Sequence, residues 1–130
     1  MRRRGVLLRG VRGAILIPDD AGGGRAAVQE LLRALVDANG ILLEDLAAAL
    51  FSLPPELAGL RAAQAAREMG WDHVPLFELS QPARADDLPR CLRVLLLWNT
   101  DRSQGDVRHI YLGEAVRLRP DLVCGEEEER

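Results

Sequence analysis

The spacing of apolar residues changes along the chain, from near alternation to helical intervals and back. VRGAILIP, residues 11–18, is a β-rich run closed by proline and predicts a strand. DDAGGG follows as a loop with candidate helix caps and flexible glycines. From Arg25 to Asn39, the residues Val28, Leu31, Leu32, Leu35 and Val36 recur at helical spacing, and Gly40 supplies a C-terminal stop. LLEDLAAALFSLPP is ambiguous; it reads as a helical turn over Leu43–Ala47, then a strand to Leu53 that Pro54 and Pro55 end. The alanine-rich LAGLRAAQAAREMG predicts a second helix over about Leu60–Met69. HVPLFEL predicts a strand that Pro75 confines to a sheet edge or to its first residues. SQPARADDLP is a loop. CLRVLLLWNT predicts a central strand, apolar enough from Val94 onward to be buried on both faces. DRSQGD is a turn, and RHIYLGEAVRLRPDL begins as a strand before turning irregular or briefly helical.

Strands mixed with two helices, without internal repeats, predict an α/β or α+β fold with a mixed sheet. The domain is expected over residues 1–124, with GEEEER, residues 125–130, as a frayed acidic tail.

Composition narrows the picture. A chain of 130 residues suits one compact domain or one subunit of a small oligomer. Its apolar fraction of 48% is mostly Ala, Leu and Val with few aromatics, a light core that burial between subunits would help. A formal charge of -3 gives no basic surface for nucleic acid or lipid. Cys91 and Cys124 are far apart, which suits free thiols in a reducing compartment and offers no zinc framework. MRRRGVLLRGVRG resembles a basic leader, but Arg9 and Arg12 interrupt its apolar run too early. No apolar run approaches membrane-spanning length, so a cytoplasmic location is expected.

The candidate chemistry lies in the arginines. Arg93 stands at the mouth of the most apolar strand, three residues after Arg90. A guanidinium is never neutral in a protein, so a half-buried one needs an anionic partner, either a carboxylate of the chain or a ligand. Arg12 lies among the glycines of RGVRG, Arg67 near the end of the second helix, and Arg119 before a proline that extends it. Any one of these arginines is more often solvated or paired on the surface. Four together, at strand mouths and beside glycines, suggest a pocket for a small molecule with more than one carboxylate.

Other candidates are weaker. His73 and His109 are distant from each other and lack a nucleophile-elbow partner, so a structural role is expected for both. Trp71 and Trp98 read as packing residues. AGGGR lacks the lysine and spacing of a phosphate loop. No metal site is expected.

RGVRGA, AAREMGWDHVP, LPRCLRVLLLWNTD and RHIYLGEAVRLRPDL, taken in order, resemble the small trimeric chorismate mutases of the α/β-barrel class. The likeness runs from about Arg9 to Leu122. It implies a homotrimer with a barrel-like core of sheets and active sites in clefts between subunits. It also implies the Claisen rearrangement of chorismate to prephenate, a pericyclic reaction that needs no cofactor. Carried over by position, the ether-oxygen arginine falls on Arg93 and the carboxylate-gripping arginine of the first strand on Arg12. The helix arginine reaching in from a neighbouring subunit falls on Arg67. Tyr111, Leu118 and Arg119 match pocket residues, Leu76 and Phe77 match strand residues lining the ring, and Ala63 and Gln64 fall at substrate-binding helix positions.

The sequence departs from the family in two places. The glutamate that contacts the ring hydroxyl is here Gln81, while Glu78 replaces a small residue. One account is a relocated carboxylate, with Glu78 supplying the charge, Gln81 a neutral hydrogen bond, and a bend near Ser80 turning both into one cleft. In the lid, an apolar residue and a proline become Arg61 and Ala62. These departures leave two alternatives open: a related enzyme acting differently on chorismate or an analogue, for example by dehydration, or a non-catalytic homologue that binds a metabolite.

Overall fold

The protein is described from a computed structural model, which covers residues 5–20 and 22–118. A mixed sheet is built from β1 (Leu7–Leu16), β2 (Leu46–Leu53), β3 (Leu76–Ser80), β4 (Cys91–Thr100) and β5 (Ile110–Tyr111). Two helices, α1 (Gly23–Asn39) and α2 (Ala62–Glu68), accompany it. The strand order is β3-β2-β4-β1-β5. β4 is antiparallel to both its neighbours, whereas β3 runs parallel to β2 and β5 parallel to β1.

The two faces of the sheet differ in kind. Val11 and Ile15 of β1, Ala49 and Phe51 of β2, and Leu92, Val94, Leu96 and Trp98 of β4 join Leu31, Leu32 and Leu35 of α1 in one buried core. Alternation along a strand then sends Arg12, Leu50, Ser52, Arg93 and Leu95 to the opposite face. The expectation that β4 is buried on both sides is corrected here, since Leu95 is 36% exposed and Arg93 and Leu97 are half-buried. Its apolar run signals a strand, but a single chain covers only one face of it.

α1 ends as its sequence predicts. Gly40 adopts a left-handed φ of 67° and its N–H donates to Val36 O. Gly13 lets this helix approach closely: a Cβ there would lie 2.8 Å from Leu35 Cδ1 and 3.1 Å from Val94 Cγ1. That glycine of RGVRG therefore serves helix packing.

Other boundaries move for physical reasons. β1 begins at Leu7, four residues before the predicted start, because β4 continues opposite it as far as the Leu7–Thr100 pair. α2 is shorter than expected, beginning at Ala62, a residue fully buried in the core. β3 begins just after Pro75 and occupies an edge, and Pro75 O still accepts from Ala49 N at 2.9 Å. Among the described residues no helix is long and apolar enough to cross a membrane.

Candidate active site

The arginines flanking the start of β4 have different surroundings. Arg90 is committed to the fold. Its Nε donates to Ile17 O at 2.9 Å, its Nη2 to Pro18 O at 2.8 Å, and its backbone N–H to the Glu56 carboxylate at 2.8 Å. It holds an otherwise unfavourable φ of 57°, and the hydrogen bonds on both sides account for that conformation. Arg93 has far less. One Nη2 lies 3.8 Å from Asp87 Oδ1, a loose contact, and its buried Nε has no hydrogen-bond partner. Cys91 does not neutralise it, because burial pushes that thiol's pKa up against the opposing pull of Arg93. A guanidinium with an unused donor is left on the open face of the sheet.

That face carries a cavity of about 490 Å³, lined in part by Arg12, Arg93, Tyr111 and Leu118. Four residues carried over from widely separated sequence positions thus meet at one site. The register of the sheet brings them together: Ala14 stands opposite Arg93 across β1 and β4, and also beside Tyr111 across β1 and β5. Arg12 is exposed, and its guanidinium has no ion pair among the described residues.

The segment leading into β5 is pinned by groups that the sequence reading assigned no specific contact. Fully buried Asn39 donates through Nδ2 to Leu35 O and Arg108 O, while its Oδ1 accepts from Arg108 N. His109 Nδ1 accepts from the backbone N–H of Arg12 at 2.9 Å, so this histidine fixes backbone beside the cavity. Leu112 N donates to Ala14 O. A polar residue closing an amphipathic helix was the only sequence signal for Asn39.

The remaining candidates do not share that cavity within one chain. Ala63, Gln64 and Arg67 lie on α2, and Glu78 Oε2 accepts from Ala63 N at 2.8 Å. β3 pairs regularly with β2 through Leu53–Ser80, with no bend at Ser80. Leu76 and Glu78 therefore point toward the α2 side, and Phe77, Leu79 and Gln81 toward the other. Glu78 and Gln81 both line a smaller cavity of about 320 Å³; neither lines the one that holds Arg12 and Arg93, and their side chains bond different partners. Gln81 is only 7% exposed, and its Oε1 accepts from Ser52 Oγ at 2.8 Å. Arg61 is exposed at the start of α2, and Arg119 lies outside the described residues, as does the acidic tail. Trp71 and Trp98 are buried packing residues, with Arg102 5.4 Å above the Trp98 ring.

The sequence profile of the family described as chorismate mutase type I matches residues 8–122. The chain belongs to this family. It is 47% identical over 118 residues to the chorismate mutase AroH of Thermus thermophilus, covering 89% of this chain and 97% of that protein. It is 34% identical over 119 residues to the chorismate mutase AroH of Bacillus subtilis, covering 90% and 94%. The solved chorismate mutase of Clostridium thermocellum superimposes with a TM-score of 0.77 at 31% identity, over 82% of this chain and 96% of that one. The α+β fold expected from the sequence is the fold of the chorismate mutases, and the resemblance drawn from its four motifs identifies the family.

Several residues lining the Arg93 cavity were not sequence candidates, and among them Ser52 carries the one side-chain hydroxyl. It is the one hydroxyl in the apolar strand LAAALFSL. Such an interruption on a half-buried face was its signal.

Proposed function

We propose that the protein is a chorismate mutase that converts chorismate to prephenate, serving aromatic amino-acid synthesis or a related secondary route in the cytoplasm. The observation that carries this is Arg93, a half-buried cation with an unused donor beside a cavity that also holds Arg12. The reaction breaks the ether carbon–oxygen bond as a carbon–carbon bond forms between the enolpyruvyl methylene and the ring. No proton or electron is exchanged with the protein. The tasks left to the protein are conformational and electrostatic: folding the side arm over the ring, and stabilising negative charge as it collects on the ether oxygen. Arg93 performs the second task and Arg12 grips a carboxylate, with Tyr111 and Leu118 shaping the pocket.

The second half of the site comes from a neighbouring copy in a homotrimer. Two features support this reading. Ala63, Gln64, Arg67, Leu76 and Glu78 form a separate group away from the cavity of their own chain. The open sheet face also presents Leu8, Phe77, Leu79 and Leu95, apolar side chains that association would cover. Arg67 then reaches a carboxylate across the seam, Phe77 lies at the ring, and Glu78 places its charge at the edge of the neighbour's pocket.

The test is to incubate purified protein with chorismate and identify the product by NMR and mass. Prephenate, an isomer of the substrate, is expected. A product lighter by one water, or binding without turnover, would overturn the proposal.

A further inference from the structure

The geometry points to Ser52 as the group that recognises the substrate's ring hydroxyl, with Gln81 as the positioning residue behind it; this rests on the chorismate mutase reading above. Ser52 stands directly opposite Arg93 in the β2–β4 register, and both line the cavity. Side chains of such a cross-strand pair leave the same sheet face with Cβ atoms about 4.5–5.5 Å apart. In chorismate the ether oxygen and the ring hydroxyl sit on adjacent ring carbons. A cation over the first therefore places its cross-strand neighbour within reach of the second.

The direction of the hydrogen bond sets what Ser52 offers. Its Oγ donates to Gln81 Oε1 at 2.8 Å, and Gln81 is buried with its backbone N–H anchored on Leu53 O at 2.8 Å. The serine proton is thus directed away from the cavity side of its oxygen. A hydroxyl keeps two acceptor lone pairs after donating once, and the Ser52 oxygen can accept from the substrate hydroxyl. The chain in this way supplies a neutral acceptor beside Arg93, which adds no second carboxylate to the loose contact with Asp87. Gln81 acts through Ser52 and does not itself touch the ring.

The decisive experiment compares Ser52→Ala and Gln81→Leu with wild type on chorismate, and on two bicyclic dicarboxylate transition-state mimics, one with the ring hydroxyl and one without. Thermal midpoints establish that the variants are folded. Ser52→Ala should lose about tenfold in kcat/KM on chorismate and in affinity for the hydroxylated mimic, the effect of one hydrogen bond. Its affinity for the mimic lacking the hydroxyl should change by less than about twofold. Gln81→Leu should show the same selectivity to a smaller degree. Equal losses toward both mimics, or undiminished turnover by Ser52→Ala, would overturn the assignment. A wild-type protein that makes no prephenate would instead overturn the mutase reading beneath it.

Discussion

Asp87 Oδ1 lies 3.8 Å from Arg93 Nη2, the one ion-pair contact that Arg93 makes among the described residues. Both side chains are about a third exposed, at 30% and 39%. A pair of this length and exposure is weak, on the order of 0.2–1 kcal/mol. It holds the guanidinium near the cavity without neutralising it.

Arg93→Ala should lower kcat by a factor of roughly 10²–10³ or more, because it removes a preorganised charge at the oxygen where charge develops. The chorismate-to-prephenate rate, followed by absorbance, checks this. A variant within a few fold of wild type would refute the assignment of Arg93.

Asp87→Asn should tighten substrate binding. The dianionic substrate competes with Asp87 for Arg93, so removing that charge should lower KM by up to about fivefold. The gain should shrink as salt is added. A raised KM would mean that Asp87 orients Arg93 rather than competing for it.

Mixing two inactive variants tests whether sites are shared. Arg12→Ala and Arg67→Ala should each be nearly inactive alone. Denatured together and refolded as mixed trimers, they should regain roughly a quarter of wild-type activity, since that share of seams pairs two intact halves. No recovery from mixed trimers would place both arginines in one chain's own site.

The Arg90 junction should give a defined acid sensitivity. The Arg90 backbone N–H holds the Glu56 carboxyl below its ordinary pKa, with the Arg90 charge adding to the effect. A lowered folded pKa contributes stability that is fully present above the ordinary carboxylate pKa and is lost as pH falls through the folded value. Glu56→Gln should therefore be less stable than wild type at neutral pH and converge with it in acid. Urea midpoints across pH measure this, and a gap that widens in acid would contradict it.

Asn39→Ala should destabilise the protein by about 2–3 kcal/mol. The substitution removes three hydrogen bonds and strands the Arg108 peptide beside a fully buried site. Because that peptide leads to His109 and Tyr111, kcat should fall as well. Denaturant unfolding and steady-state rates report the two effects separately.

Much of the fold was legible before any coordinates. Helical spacing from Val28 to Val36 with Gly40 behind it gave α1, because periodicity and a left-handed stop are local properties. Pro75 limited β3 to an edge or placed itself at the strand's start, since proline cannot donate to a ladder. The first four residues of β1 were missed for the opposite reason: their order comes from a partner strand more than eighty residues away. The same limit applied to the site. Arg93 was conspicuous as a cation at the start of an apolar strand, but nothing local distinguished its fate from that of Arg90.

The sequence by itself determined the strand and helix types, the family, and which arginines were candidates for binding an anion. Only the tertiary structure decided that Arg90 is bonded into the fold while Arg93 keeps an unused donor, that Ser52 stands across from Arg93, and that Glu78 bonds to Ala63 while Gln81 bonds to Ser52. Periodicity and residue chemistry are written along the chain. Which side chains oppose one another depends on strand register, and register is set by contacts between distant segments.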